Sequence, residues 1–149
     1  MRVLIQRVSE ASVNIDQEEH SRISKGLLIL VGIENDDNDE DIAYLCKKII
    51  NLRIFDDKNG VMNESVIQIK GEIMIISQFT LQANTKKGNR PSYIKAAKPD
   101  IAIPMYEKFC KELELHSGID IKTGIFGADM KVSLTNDGPV TIWVDSKAK

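Results

Sequence analysis

Two short segments of this chain combine residue types that can act on a polar substrate. The first is Ser77-Gln78-Phe79-Thr80, which lies where a continuous apolar run gives way to a polar loop. Catalytic groups are common at such strand ends, and two hydroxyls with an amide can orient a polar substrate. The alternative is that Ser77 and Thr80 only satisfy backbone groups at the end of the strand, which is the commoner use of such residues.

The second segment is Asn136-Asp137-Gly138-Pro139, which separates two strand-like stretches. A peptide bond before proline prefers the trans isomer by only about 0.5–1 kcal/mol, so a cis Gly-Pro turn is accessible here. Such a turn would point main-chain carbonyls outward, where they can contact a ligand without any side chain. The simpler interpretation is a plain hairpin turn between two strands.

A basic loop lies between these two segments. Residues 85–98 contain no acidic side chain and five basic ones, which are Lys86, Lys87, Arg90, Lys95 and Lys98. Basic side chains neutralise phosphates, and Tyr93 is near enough in sequence to stack on a base, so the loop is a candidate contact for nucleic acid. A solvated surface loop is the alternative. The net charge of −2 decides nothing, because binding depends on where the charge lies.

No nucleophilic triad and no metal motif is visible in the sequence. An activated serine or threonine usually needs a neighbouring base, most often histidine, and both His20 and His116 lie far from Thr80 along the chain. Gly-x-Ser-x-Gly, Walker and zinc motifs are absent from the sequence, and its two cysteines do not have metal-binding spacing. We therefore expect no cofactor and no metal.

Hydrophobic periodicity predicts the elements that must position these segments. Continuous apolar runs at residues 27–33 and 73–79 are typical of strands covered on both faces. One amphipathic helix is predicted to begin at Asp37, with an apolar stripe from Ile42 to Ile50. The other predicted elements are strands at residues 3–8, 11–15, 21–24, 66–69, 129–135 and 140–144 and a second helix at residues 100–115, with Ile101, Met105, Phe109, Cys110 and Leu113 along one side.

Together these elements predict one α/β domain over residues 1–149. Its sheet is mixed, strongly curved and barrel-like, and two main helices pack on it. The apolar fraction of 42% and charged fraction of 28% are ordinary for a globular protein. No stretch approaches the roughly 18 to 20 apolar residues that cross a bilayer, and the first residues do not form a signal peptide. We expect a cytoplasmic protein that does not bind membranes.

The motifs together resemble the D-aminoacyl-tRNA deacylase family. Residues 77–81, 85–92, 127–130 and 136–141 match the motifs of that family in the same order, and residues 6–13 and 25–28 are similar to its N-terminal part. The resemblance runs from Met1 to about Ser146. One departure is that the turn at residues 16–20 lacks the glycine often found there, which affects the shape of the loop rather than the site.

The resemblance implies a hydrolase that cuts the ester between a D-amino acid and the 3′ end of tRNA, and that also removes glycine mischarged on tRNA-Ala. It implies a homodimer in which residues 77–80 of one subunit meet the Gly138-Pro139 turn of the other. The carbonyls of this cis turn would capture the amino group of the substrate and exclude an L side chain. The further residues that it assigns are Arg7 as support for the turn, Ala128 and Met130 as substrate contacts, and Lys86, Lys87 and Arg90 as tRNA contacts.

For the chemistry, the resemblance implies that Ser77, Gln78, Phe79 and Thr80 form the catalytic segment. Water would attack the ester carbonyl with help from the ribose 2′-OH of the tRNA, while N–H groups near Phe79 and Thr80 steady the oxyanion. A covalent role for Thr80 ranks second, because the sequence supplies no evident base. The alternative function is a non-catalytic tRNA-binding module that uses residues 85–98.

Overall fold

The computed structural model of the chain describes residues 1–148 as a curved mixed sheet with two helices packed on it. In chain order the elements are β1 (Arg2–Ile15), β2 (Glu18–Ile23), β3 (Gly26–Gly32), α1 (Asp39–Asn51), β4 (Phe55–Asp56), β5 (Met62–Glu64), β6 (Glu72–Ser77), a 3-10 helix (Phe79–Gln82), α2 (Pro99–Ser117), β7 (Ile121–Thr123) and β8 (Lys131–Asp145). This architecture confirms the predicted α/β class with a barrel-like sheet and two main helices. Among residues 1–148, no helix is both long and apolar enough to span a membrane.

β1 is the strand around which the sheet is organised. It pairs antiparallel with β3 along its first half and with β2 along its second half. Its other edge pairs with β8 along both halves, with shifts in register between Gln6 and Glu10. Irregular pairing of this kind bends a strand and increases its twist, so the two halves of β1 can pair with different strands of a strongly curved sheet.

The remaining strands extend the sheet until it nearly closes into a barrel. β3 pairs parallel with β6, and β6 pairs parallel with β7. β7 then approaches β2 from the far side, where the Ser21 hydroxyl donates a hydrogen bond of 2.8 Å to the Thr123 carbonyl. The short strand β7 was not predicted from the sequence, because three half-buried residues carry too little periodicity to be recognised.

Two predictions about strands are wrong, the first of them because local turn chemistry was misread. Residues 66–69 are not a strand but part of a run of turns. The Ser65 N–H donates to Gln68 Oε1 at 2.8 Å and the Gln68 N–H to Ser65 Oγ at 3.4 Å, and such reciprocal bonds stabilise a turn instead. Residues 3–8 and 11–15 are also not separate strands, because both belong to β1.

The predicted hairpin at residues 136–139 is wrong as well. Residues 131–135 and 141–145 both pair with β1 in the same antiparallel direction, so the chain does not reverse between them. Residues 137–140 instead bulge out of β8 opposite Arg7, since Val8 pairs with Asn136 and Gln6 with Thr141. Turn-forming residues were recognised correctly, but they form a bulge within one strand.

The core lies on both faces of the central strands, which explains their continuous apolar runs. One cluster joins the outer face of the sheet to the helices, through Ile42, Leu45, Cys46 and Ile49 of α1 and Ala102, Tyr106, Phe109 and Leu113 of α2. A smaller cluster, which includes Leu28, Met74 and Ile76, fills the inside of the curved sheet. The predicted stripe of α2 is partly wrong: Ile101 is exposed, and the helix buries Ala102 and Tyr106 instead.

The start of α1 is tied to the segment that follows β8 by one buried carboxylate. The helix begins at Asp39, two residues later than the predicted start at Asp37, and Asp41 Oδ2 accepts from the N–H of the capping residue Asn38 at 2.9 Å. The Lys147 ammonium donates to the same oxygen at 2.9 Å. Burial by itself raises the pKa of Asp41, but the hydrogen bonds from Lys147, Ser146 and Asn38 outweigh it and lower the pKa to about 2.

Because its pKa is depressed, ionised Asp41 stabilises the folded protein fully above its unfolded pKa of about 3.9. We expect Asp41→Asn to lower the free energy of unfolding at pH 7 by about 1–2 kcal/mol, through loss of the ion pair and the cap. The difference from wild type should fade as pH falls from about 4 to about 2, as measured by urea denaturation at several pH values. Asp39→Asn is the matched control, because its carboxylate lies in the same turn and is 74% exposed, so it should matter much less. A gap between wild type and Asp41→Asn that persists unchanged at pH 2 contradicts this account.

Candidate active site

A pocket of about 290 Å³ opens beside the C-terminal ends of β3 and β6. Its inner surface is apolar and includes Val31, Ile76 and Val132. Ser77, Gln78 and Phe79 form its rim where β6 ends, and Phe126, Ala128 and Met130 form a wall from the segment between β7 and β8. The structure therefore brings together three of the four residues predicted to be catalytic and two of those predicted to bind substrate. Phe126 and Val31 were missed, because an apolar residue gives no sequence signal that separates a pocket wall from a core.

The rim is shaped by the way β6 ends. Ser77 is the last residue of the strand, and the next N–H, that of Gln78, still donates to the Val31 carbonyl at 2.7 Å. The chain then turns into the 3-10 helix. Its approach to β3 requires glycine at position 32, because a Cβ there would lie 2.9 Å from both the Gln78 carbonyl oxygen and Leu81 Cβ.

Thr80 is joined to the rim by a side-chain hydrogen bond. The Gln78 side-chain amide donates to Thr80 Oγ1 at 2.6 Å, so the two predicted catalytic residues act as one unit. The N–H groups of Phe79 and Thr80 are the first of the 3-10 helix, and first-turn N–H groups have no acceptor within their own helix. The Phe79 side chain is 56% exposed at the mouth of the pocket. Backbone donors and an exposed ring thus lie side by side.

The Gly138-Pro139 segment forms a second, separate structure, in which the peptide bond is cis. Arg7, although buried, directs its guanidinium at this bulge and donates from Nε to the Asp137 carbonyl at 3.0 Å. Its Nη1 donates to the Ile54 carbonyl at 2.7 Å, which anchors the guanidinium from the other side.

Asn136 closes the bulge from within. Its side-chain amide donates to the Val140 carbonyl at 2.9 Å and to the Arg7 carbonyl at 3.0 Å. Asn136 was not predicted to have this role, since its partners are set by the pairing of β8 with β1.

In a single chain the two segments do not meet. Along β3, Arg7 pairs with Leu27 whereas Ser77 pairs with Val31, which places the segments about 13 Å apart along the strands. They are also separated by three strand spacings, or roughly 14 Å, in the order β8, β1, β3, β6. Arg7, Gly138 and Pro139 consequently do not line the pocket.

The basic loop is a projecting hairpin next to the pocket. Asn84 and Ser92 exchange two backbone hydrogen bonds, of 2.8 and 3.0 Å, which close residues 85–91 into a finger. Three exposed basic side chains lie on this finger, and none forms an ion pair within residues 1–148: Lys86, Lys87 and Arg90. Just past the finger, Tyr93 packs edge-on against Phe79 with ring centroids 5.0 Å apart. The finger is therefore connected to the rim of the pocket.

The pocket offers hydroxyl, amide and backbone groups rather than titratable ones. Of the described residues that line it, none is Asp, Glu, His, Cys, Lys, Arg or Tyr. Both histidines are exposed elsewhere, and the His116 ring nitrogen contacts the carbonyl of Glu112 within its own helix. Such a site can position a substrate and stabilise a developing negative charge, but its side chains provide no general base.

Comparisons with known proteins identify close relatives of this chain. The family model described as D-Tyr-tRNA(Tyr) deacylase matches residues 4–145. A protein of Bacteroides fragilis named D-aminoacyl-tRNA deacylase is 67% identical over 149 residues, which is 100% of this chain and 99% of the relative. A protein of Flavobacterium psychrophilum with the same name is 68% identical with the same coverage.

Two solved structures have the same fold. One, described as a c-Myc DNA unwinding element binding protein, is 38% identical and superimposes with a TM-score of 0.92 over 97% of this chain and 98% of that one. The other, a probable eukaryotic D-amino acid tRNA deacylase, is 16% identical with a TM-score of 0.82 over 96% of this chain and 97% of that one. At 16% identity the second likeness shows the fold alone.

Proposed function

The chain belongs to the D-Tyr-tRNA(Tyr) deacylase family, and from this premise we propose how it deacylates D-aminoacyl-tRNA. The substrate is a tRNA that carries a D-amino acid on its 3′ end, and the products are the free amino acid and the tRNA. The reaction takes place in the cytoplasm, where aminoacyl-tRNA is made and used. The observation that carries the proposal is the pocket itself, which has apolar walls, no titratable side chain among its lining residues and the start of the 3-10 helix at its rim.

Hydrolysis proceeds by attack of water on the ester carbonyl. Because the residues that line the pocket supply no base, the ribose 2′-OH beside the ester assists the water. The carbonyl oxygen gains negative charge as the water adds, and the N–H groups of Phe79 and Thr80 donate to it. A donor of this kind typically stabilises the transition state by about 3–4 kcal/mol.

A covalent role for Thr80 is the weaker alternative. Its hydroxyl oxygen already accepts the short hydrogen bond from the Gln78 amide, which draws electron density away from a nucleophile. An activated threonine needs a base within hydrogen-bond reach, and the pocket offers none from its lining residues. Thr80 and Gln78 therefore act as positioning residues for the rim.

Discrimination between D and L substrates is assigned to the Gly138-Pro139 turn of a second subunit. Main-chain carbonyls of this turn capture the amino group of the substrate and leave no room for an L side chain. Atoms of the main chain can read the configuration at the α-carbon while they ignore the identity of the side chain, so one pocket serves many D-amino acids. Glycine has no side chain to reject, so glycine mischarged on tRNA-Ala is also a substrate.

A homodimer is supported by the separation of the two segments and by the surface of β8. Within residues 1–148 the outer edge of β8 has no strand partner, and an unpaired edge is a template for association. Trp143 on this strand is 49% exposed. Val140, Ile142 and Val144 pack against the main core cluster but stay only half-buried, as expected where a second subunit completes the cover.

The activity is tested by release of amino acid from matched substrates. With D-tyrosyl-tRNA and L-tyrosyl-tRNA at equal concentration, we expect fast release from the D form and release near the uncatalysed rate from the L form. Binding of both tRNAs without release from either is the result expected of a non-catalytic tRNA-binding module, and it would contradict the proposal.

Contact between the basic finger and tRNA is tested by the salt dependence of binding. Replacement of Lys86, Lys87 and Arg90 with alanine should weaken binding and flatten the slope of log K against log salt by up to about 0.7–0.9 for each lost phosphate contact. The control is the same measurement on Lys131→Ala, because this exposed lysine pairs with Asp129 and lies outside the finger. A triple variant with the wild-type slope would mean that the finger is only a surface loop.

A further inference from the structure

One wall of the pocket depends on a glycine that does not itself line the pocket. Gly124 follows β7, and a Cβ built on it would lie 2.3 Å from Met130 Sδ and 3.3 Å from Ile76 Cδ1. Both Met130 and Ile76 line the pocket. The backbone at Gly124 is not in the left-handed region, so its conformation does not call for glycine. The close approach of the Met130 thioether is what requires the missing side chain.

The consequence of a larger residue at this position follows from packing distances. Non-bonded heavy atoms sit about 3.5–4.0 Å apart, so a methyl group on Gly124 would displace the thioether by more than about 1 Å. Methionine has three rotatable side-chain bonds and can move without disturbing the backbone. Met130 lines the pocket, so the pocket is open space into which the displaced thioether can move. A displaced Met130 therefore narrows the pocket.

We propose that Gly124 is a positioning residue that sets the width of the substrate pocket. The absence of a side chain at Gly124 leaves space for the Met130 thioether, which would otherwise project further into the pocket. The proposal rests on the proposed function, because it concerns the same pocket and the same aminoacyl-tRNA end. Met130 then limits the size of the substrate group that lies between it and the rim at residues 77–79. Gly124 influences this selection without touching the substrate.

A double-mutant cycle tests the proposal through KM and kcat for D-tyrosyl-tRNA. Gly124→Ala should raise KM about tenfold and change kcat much less, because the rim and its main-chain donors stay in place. Met130→Ala should raise KM about fivefold through loss of the wall. In the Met130→Ala background, addition of Gly124→Ala should change KM less than about twofold, because no thioether remains to be displaced.

Gly71→Ala is the matched control for overpacking. A Cβ on Gly71 would lie 2.9 Å from Ile69 Cδ1 and 3.2 Å from the Lys25 carbonyl oxygen, far from the pocket lining. This variant should lose stability in urea while KM stays at the wild-type value. A parallel rise of KM in Gly71→Ala would mean that KM reports general loosening of the fold and would overturn the assignment.

The outcomes separate this proposal from the proposed function. A wild-type protein that releases no D-tyrosine contradicts the proposed function itself. If the wild type is active, the double-mutant cycle tests the role of Gly124 separately. An equal effect of Gly124→Ala with and without Met130, or an unchanged KM in folded Gly124→Ala, overturns the role of Gly124. Should Gly124→Ala not fold, recovery of folding in the double variant supports the clash with Met130. Failure of the double variant to fold, or an unchanged KM in Met130→Ala, overturns the proposal.

Discussion

The hydrogen-bonded course of β1 beside β8 is the constraint on which the rest of the structure depends. Because both halves of β8 stay in antiparallel register with β1, the four residues between them can only bulge outward opposite Arg7. Arg7, opposite the bulge, pairs with Leu27 near the start of β3, whereas Ser77 of β6 pairs with Val31 near the end of β3. The distance between the two motifs is therefore a property of the sheet, and no local rearrangement of a loop can close it.

This separation accounts for the chemical character of each part. The pocket has apolar walls and, at its rim, the start of the 3-10 helix and the Gln78–Thr80 hydrogen bond, but no titratable group among its described lining residues. The bulge provides main-chain carbonyls held by a buried arginine and an asparagine. Each part alone is an incomplete site, and in the proposed dimer the two complement each other across the interface. In the proposed mechanism, the activation of water is left to the ribose of the substrate.

The sequence predicted the parts of the fold whose signal is local. The stripe from Ile42 to Ile50 predicts α1, and the unbroken apolar runs predict β3 and β6, because these patterns follow directly from burial on one face or on two. The bulge was missed because turn-forming residues do not say whether the chain reverses. That outcome depends on pairing with β1, more than 120 residues earlier in the chain. The rim of the pocket could be predicted because it lies where the apolar run of β6 ends. The packing of Met130 against Gly124 could not, because it depends on a distance between side chain and backbone that no sequence pattern encodes.

Complementation between two defective chains tests most directly whether one site is built from two subunits. Gly138→Ala damages the turn, because its Cβ would lie 2.8 Å from Arg7 Nη2 in a backbone with φ of +121°, and Gln78→Ala damages the rim. Each variant alone should release little D-tyrosine from D-tyrosyl-tRNA. After co-refolding in equal amounts, half of the dimers are hybrids with one intact site each, so the mixture should recover roughly a quarter of wild-type activity. A mixture that is no more active than the two variants measured separately would contradict the shared site.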